Sequence, residues 1–216
     1  MNMVLIGPPG VGKGTQAALL DDRLGMRQLS SGLIFRTEID AQTDLGNLAK
    51  RYIDQGRLVP NGVTIEMMAK KLRDPDTRKR GFVLDGYPRT VEQAKALDLL
   101  MEEMGLCLDQ VVALTVDDQV VVDRLSKRIG CTKCGAIYHS VHKPPKREGI
   151  CDLCNSPLFV RSDDRPEAIL QRLRTFRETT APVVEYYREK GILKVVDASL
   201  EPEEIFRAIV EKDASA

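Results

Sequence analysis

The chain has 216 residues, 43% of them hydrophobic, and 32 Lys+Arg balance 32 Asp+Glu to a formal net charge of zero. That is enough apolar content for one core domain with an insertion, and the balance argues against life on duplex DNA, which calls for a basic face. The start, MNMVLIGPPG, has no basic lead and its apolar run covers only Met3 to Ile6, too short for a signal peptide or a membrane span. A cytoplasmic protein with no membrane partner is expected, whose five cysteines are not disulfides by default.

In chain order, MVLIG reads as a short buried strand entering a glycine-rich turn. TQAALLDDRLG follows with helical spacing closed by Gly25. Residues 30–60 look helical, punctuated by Gly46 and Gly56. GFVLDG (81–86) and QVVALTV (110–116) are continuous apolar runs, which fit strands buried on both faces of a parallel sheet. TVEQAKALDLLMEEMG (90–105) and DDQVVVDRLSKRIG (117–130) are the helices expected between strands. ILKVVD (192–197) is a last strand, and EPEEIFRAIVEKD a last helix. Repeated β–α alternation makes the fold class α/β with a mostly parallel sheet. Residues 129–165 show no clear period and are rich in Pro, Gly, Cys and charge, so a loop of that length needs a staple.

Residues 7–15, GPPGVGKGT, follow a strand and open a helix. Glycines in that position let backbone N–H groups converge on phosphate, and the helix N-terminus favours an anion. Gly7, Gly12 and Lys13 fit the phosphate-loop pattern, with Gly14 standing where Ser or Thr is usual and Thr15 one place later.

GPPGVGKGTQA resembles the phosphate loop of adenylate kinases. LDGYPRTVEQA (84–94) is similar to that family's second signature, and RSDDRPEAILQRL (161–173) to its third, an Arg followed by Asp-Asp and a helix carrying another Arg. The motifs recur in order from residue 7 to about 200. The resemblance implies a P-loop nucleoside monophosphate kinase fold: a five-stranded parallel sheet flanked by helices, a helical AMP-binding insertion and a zinc-stapled lid. Residues 1–29, 61–128 and 166–216 would form the core, 30–60 the AMP-binding domain and 129–165 the lid.

The implied reaction is ATP + AMP ⇌ 2 ADP with Mg²⁺. By resemblance, Lys13 and Gly10 to Thr15 would cradle ATP, with Arg124, Arg128, Ile137, Tyr138 and Leu200 also reaching it. Ser31, Arg36, Arg57, Leu58, Val59, Gly86, Tyr87, Pro88, Arg89 and Gln93 would hold AMP, with Gln93 on the adenine. Arg161 and Arg172 would bridge the transferring phosphoryl, and Asp85 at its strand end would hold Mg²⁺ through waters. Guanidinium forks suit phosphate, which explains arginine at these places. One departure stands out: SSGLIFR puts Leu33 where the family has an aspartate, so Asp85 is expected to carry more of the metal's water shell. The family also implies a monomer.

Cys131/Cys134 and Cys151/Cys154 form two Cys-x-x-Cys pairs. A redox dithiol needs one pair at a helix start, whereas structural zinc needs four thiolates from two knuckles. Gly135 and Asn155 follow the second Cys of each pair, and both residue types tolerate the left-handed backbone of a knuckle. A structural Zn²⁺ is expected; Cys107 is expected to be buried and apart. A nucleic-acid ribbon is the competing reading, with Tyr138, Lys143, Lys146 and Arg147 as a thin basic-aromatic set. The phosphate loop and neutral charge count against it. A pure NTPase is disfavoured because it has no use for a monophosphate site.

Overall fold

The computed structural model describes residues 1–131 and 133–211. Its centre is a five-stranded parallel sheet ordered β2-β3-β1-β4-β8. Strand β1 (Asn2–Ile6) shows why these apolar runs form such a sheet. Met3 and Leu5 point into one helical layer with Leu20, Phe206 and Ile209. Val4 and Ile6 point into the other with Leu84, Leu97 and Tyr187. A strand buried on both faces needs apolar side chains at every position.

Helix α1 (Lys13–Leu24) follows the glycine loop and ends at Gly25, whose N–H reaches the Asp21 carbonyl. Strand β2 (Arg27–Ser30) lies at the sheet edge and hands over to α2 (Ser31–Asp40). Ser30 caps α2 by accepting from the Leu33 N–H, and Thr43 caps α3 (Asp44–Ile53) by accepting from the Gly46 N–H. Helices α2 and α3 fall within residues 30–60, the segment that looks helical in the sequence. α4 (Asn61–Leu72) and α5 (Pro75–Arg80) return the chain to β3 (Phe82–Asp85). α6 (Val91–Glu103), β4 (Gln110–Thr115) and α7 (Asp118–Ser126) continue the alternation.

The helix expected over 117–130 stops at Ser126. Val121 and Leu125 are its last core contacts, and Ile129 packs into the lid's own cluster instead. The chain there becomes β5 (Arg128–Cys131), flanked antiparallel by β6 (Ile137–His139) and β7 (Leu158–Phe159). Residues 129–165 thus hold a small sheet with the order β6-β5-β7. Strands of two to four residues are too short to show alternation in a sequence. A 3₁₀ turn (Ser162–Asp164) leads to α8 (Pro166–Thr175), which runs through one π-helical turn (Phe176–Thr180) into α9 (Ala181–Glu189). β8 (Leu193–Asp197) and α10 (Pro202–Val210) finish the fold. The last helix was expected through Asp213; Lys212 and Asp213 lie outside the described residues. Cys107 corrects another expectation: it is exposed, in the turn between α6 and β4.

Candidate active site

A cleft of about 1320 Å³ opens where β1, β2 and β3 end, the usual place for a ligand in an open parallel sheet. One wall is the glycine loop. Gly12 caps α1 with φ of 109° and no side-chain hydrogen bond, so the first helical amides face the cleft unobstructed. Lys13 folds back, its Nζ donating to the carbonyls of Gly7 and Pro8 at 2.8 Å each. Burial holds its ammonium down at about 7, and Arg89, Arg172 and Arg128 push the same way against the opposing pull of Asp85. An anion beside such a lysine would favour its charged form.

The guanidiniums come from separate elements and converge. Arg36 rides on α2, and burial lowers it to about 10 while Asp163 pulls it up and Arg128 lowers it further. Arg89 follows β3 and is lowered by burial and then by Arg172; its Nε donates to the Gly86 carbonyl at 2.8 Å. Arg128 opens β5 and is gripped in bidentate fashion by Asp164, at 2.8 and 2.6 Å. Arg172 on α8 donates to the Asp163 carbonyl and to Asp164 Oδ1, both at 2.9 Å. Arg161 differs: its Nε is sealed from solvent with no hydrogen-bond partner. Burial lowers it far below the ordinary guanidinium value, and Arg128 and Arg36 add to that. A buried, unsatisfied donor among like charges fits an anionic ligand.

Asp163 and Asp164 are the functional residues the sequence reading left without a role. Both are buried. Burial pushes the Asp163 carboxyl up, but Arg172, Arg128, Arg161 and Arg36 outweigh it and hold it below its ordinary value. The signal was present in RSDD, where adjacent acids precede an arginine-bearing helix.

Most of the expected nucleotide residues line this one cleft. Gly10 to Thr15, Ser31, Leu58, Val59, Gly86, Pro88, Arg57, Arg124, Ile137 and Leu200 all face it. Ser31 Oγ donates to the Gly86 carbonyl at 2.6 Å, tying α2 to the end of β3. Asp85 Oδ2 accepts from Ser30 Oγ at 3.1 Å, which leaves its carboxylate further lone pairs for water. Tyr87 is not among the lining residues; its ring is buried in the core and its hydroxyl donates to the Gln93 carbonyl. Gln93 is 2% exposed. Its Oε1 accepts from the Arg89 N–H at 2.8 Å and its Nε2 donates to Asn61 at 2.9 Å. One N–H and one lone pair of the amide remain for a base. Arg124 is strapped to the carbonyls of Val11 and Ala198. Tyr138 turns its ring into the lid's interior, where its hydroxyl accepts from the Asp152 N–H at 2.7 Å.

In the lid the four cysteine sulfurs lie within 4.8 Å of one another, with Cys131–Cys154 and Cys134–Cys151 at 3.5 Å. A tetrahedron with Zn–S of about 2.3 Å puts sulfurs ~3.8 Å apart, so the set fits. Gly135 and Asn155 have φ of 74° and 56°, and their N–H groups bond the carbonyls of Cys131 and Cys151 to close the two knuckles. Burial pushes the Cys151 thiol up, yet the Tyr138 hydroxyl and the amides of Cys154 and Leu153 hold it down at about 6. Asp123, His139 and His142 also cluster. His139 Nδ1, however, accepts from the amides of Val141 and His142. That fixes the proton on Nε2 and removes it as a metal ligand.

The adenylate kinase family model matches residues 5–192. The chain belongs to that family. Adenylate kinases of Methanosarcina mazei and Methanosarcina acetivorans are each 46% identical to it, over 97% and 99% of this chain and 96% and 100% of theirs. That of Symbiobacterium thermophilum is 47% identical over 91% of this chain and 90% of its own. This adenylate kinase family member is a phosphotransferase, built on the five-stranded parallel sheet that the motifs implied.

Proposed function

We propose that the cleft binds ATP, as its magnesium complex, and AMP together, and interconverts them with two ADP. The observation that carries this is the convergence of Lys13, Arg36, Arg89, Arg128, Arg161 and Arg172 on one cleft that also holds the phosphate loop. Phosphoryl transfer needs two phosphate chains in line and the spreading charge neutralised, with little covalent chemistry from protein. Two anionic substrates call for cations from several directions. A simple NTPase would leave Arg36 and Arg89 idle.

The glycine loop and Lys13 take the ATP phosphates, with Arg124, Ile137, Tyr138 (through its main chain) and Leu200 around the nucleoside. Arg36 and Arg89 take the AMP phosphate. Ser31, Arg57, Leu58, Val59, Gly86, Pro88 and Gln93 surround the rest, and Tyr87 supports them from beneath. Arg128, Arg161 and Arg172 sit where charge develops. Bound Mg²⁺ supplies charge neutralisation on the ATP phosphates; Asp85 would hold its water shell. Residues 30–60 and 129–165 act as flaps on a core of 1–29, 61–128 and 166–216, and closure keeps water from the phosphoryl group. Zn²⁺ at Cys131, Cys134, Cys151 and Cys154 holds the lid's shape and takes no part in the chemistry. A cytoplasmic monomer working on free nucleotides, without nucleic acid, fits the neutral charge, and no described helix is long and apolar enough to cross a membrane.

One coupled assay of ADP formation across AMP, GMP, CMP and UMP tests the reading. AMP should be the preferred acceptor. ATP hydrolysis at equal speed with and without any monophosphate would overturn it.

A further inference from the structure

Leu33 is an apolar residue of the cleft, on the same helix as Arg36. It sits in the first turn of α2, its N–H donating to Ser30 Oγ at 3.4 Å. The methyls of Leu33 lie against the main chain of Gly135: a Cβ at position 135 would meet Cδ2 at 3.0 Å and Cδ1 at 3.4 Å. Gly135 is the turn that closes the first cysteine knuckle, with φ of 74°. The contact therefore joins the helical insertion directly to the lid. The fit is mutual, since any side chain at 135 would be strained in that backbone and would wedge Leu33 away. A second bond reaches the insertion from the lid's far end: Ser162 Oγ donates to Asp54 Oδ1 at 2.7 Å, at the exposed surface.

We propose that Leu33 is a positioning residue, an apolar latch from the insertion to the zinc knuckle, which makes closure over one nucleotide favour closure over the other. The inference rests on the flap reading above. Leu33 is half-buried with Gly135 over it, and covering its methyls stabilises only the arrangement with both flaps shut. The latch also sets geometry, because Arg36 lies one turn further along α2 while Arg128 and Arg161 stand at the base of the lid. Pinning Leu33 on Gly135 brings these guanidiniums to one place together.

The test is the affinity of a non-hydrolysable ATP analogue with Mg²⁺, measured by titration calorimetry with and without saturating AMP. In the unaltered protein AMP should tighten the analogue by about fivefold or more, the usual scale of coupling between sites. Leu33→Ala should bring that factor close to one while changing the affinity for each ligand alone by less than about twofold. Leu33→Met, which can still reach the knuckle, should restore most of it. A purely structural role would lower the melting temperature and weaken both ligands singly, with the factor kept. Wild-type coupling retained in Leu33→Ala overturns the latch; absence of coupling in the unaltered protein overturns the latch and the flap reading together.

Discussion

Lys13 shows what a single residue gains from its ligand. In the protein alone its ammonium is held at about 7, first by burial and then by Arg89, Arg172 and Arg128. Phosphate oxygens favour the charged form and return it toward ordinary lysine behaviour. Because the value is lowered, binding phosphate should draw a proton onto the side chain, more so as pH rises above 7. Calorimetry of MgATP binding in buffers of different ionisation enthalpy should register more proton uptake at pH 8 than at pH 6. Zero uptake at pH 8 would show that Lys13 is already charged. Asp164 gives a second prediction at this scale. It fixes Arg128 in bidentate fashion and also takes Arg172, with its own side chain 1% exposed. Asp164→Asn keeps the size but removes the charge, leaving two guanidiniums under-compensated. Breaking a buried pair costs about 3–5 kcal/mol. The variant should melt several degrees lower and lose at least about tenfold in kcat with a smaller change in KM. Unchanged kcat would mean that Arg128 and Arg172 are aimed by something else.

The elements differ in how far a sequence betrays them, and the reason is burial. β1, β3 and β4 are covered on both faces, so their apolar runs stand out. β2 is an edge strand of four residues, RQLS, with one buried side chain, and no pattern marks it. α7 looked longer than it is because Ile129 is apolar at a position where a helix would be; it serves the lid's cluster instead. The site was legible wherever chemistry demands a residue type at a spacing, as in the glycine loop and the paired cysteines. RSDD marks Asp163 and Asp164 as a pair of acids, but not that Asp164 grips Arg128 36 residues earlier in the chain, a pairing that spacing does not encode. The lid is also where an element-scale prediction belongs. Its own apolar cluster is Cys131, Tyr138 and Cys151 with a few partly buried neighbours, too little to hold a flap of this size unaided. Zinc can supply about 10 kcal/mol of folding free energy to such a knuckle. Metal analysis should find one zinc per chain. Chelation should lower the melting temperature by about 5 °C or more and expose the lid to proteolysis, with the amides of residues 7–15 keeping their hydrogen-exchange protection. A lid equally resistant after complete zinc loss would assign the cysteines some other task.

At the scale of the whole molecule the formal net charge is zero, but the charges are unevenly placed. Lys13, Arg36, Arg89, Arg128, Arg161 and Arg172 gather in the cleft with Asp85 and Asp163, and Asp164 pairs with Arg128 and Arg172. Closing the flaps without phosphate concentrates that surplus of positive charge in a poorly solvated space, and burial and mutual repulsion are what lower Arg36 and Arg161. The shut form with its Leu33–Gly135 contact is therefore opposed by its own electrostatics until anions arrive. Two phosphate chains reverse the sign of the balance, and the latch then adds to closure instead of resisting repulsion. The equilibrium should follow phosphate charge more closely than ionic strength. Small-angle scattering should give a larger radius of gyration for the protein alone and a contraction on adding MgATP analogue plus AMP. Either ligand singly should give a partial contraction, since one flap keeps its repulsion. Sodium chloride at matched ionic strength screens the exposed groups but reaches the sealed Arg161 Nε poorly, so it should not reproduce the effect. Full contraction in salt alone would mean that repulsion is the whole of the barrier and that the nucleotides supply no specific contact across the cleft.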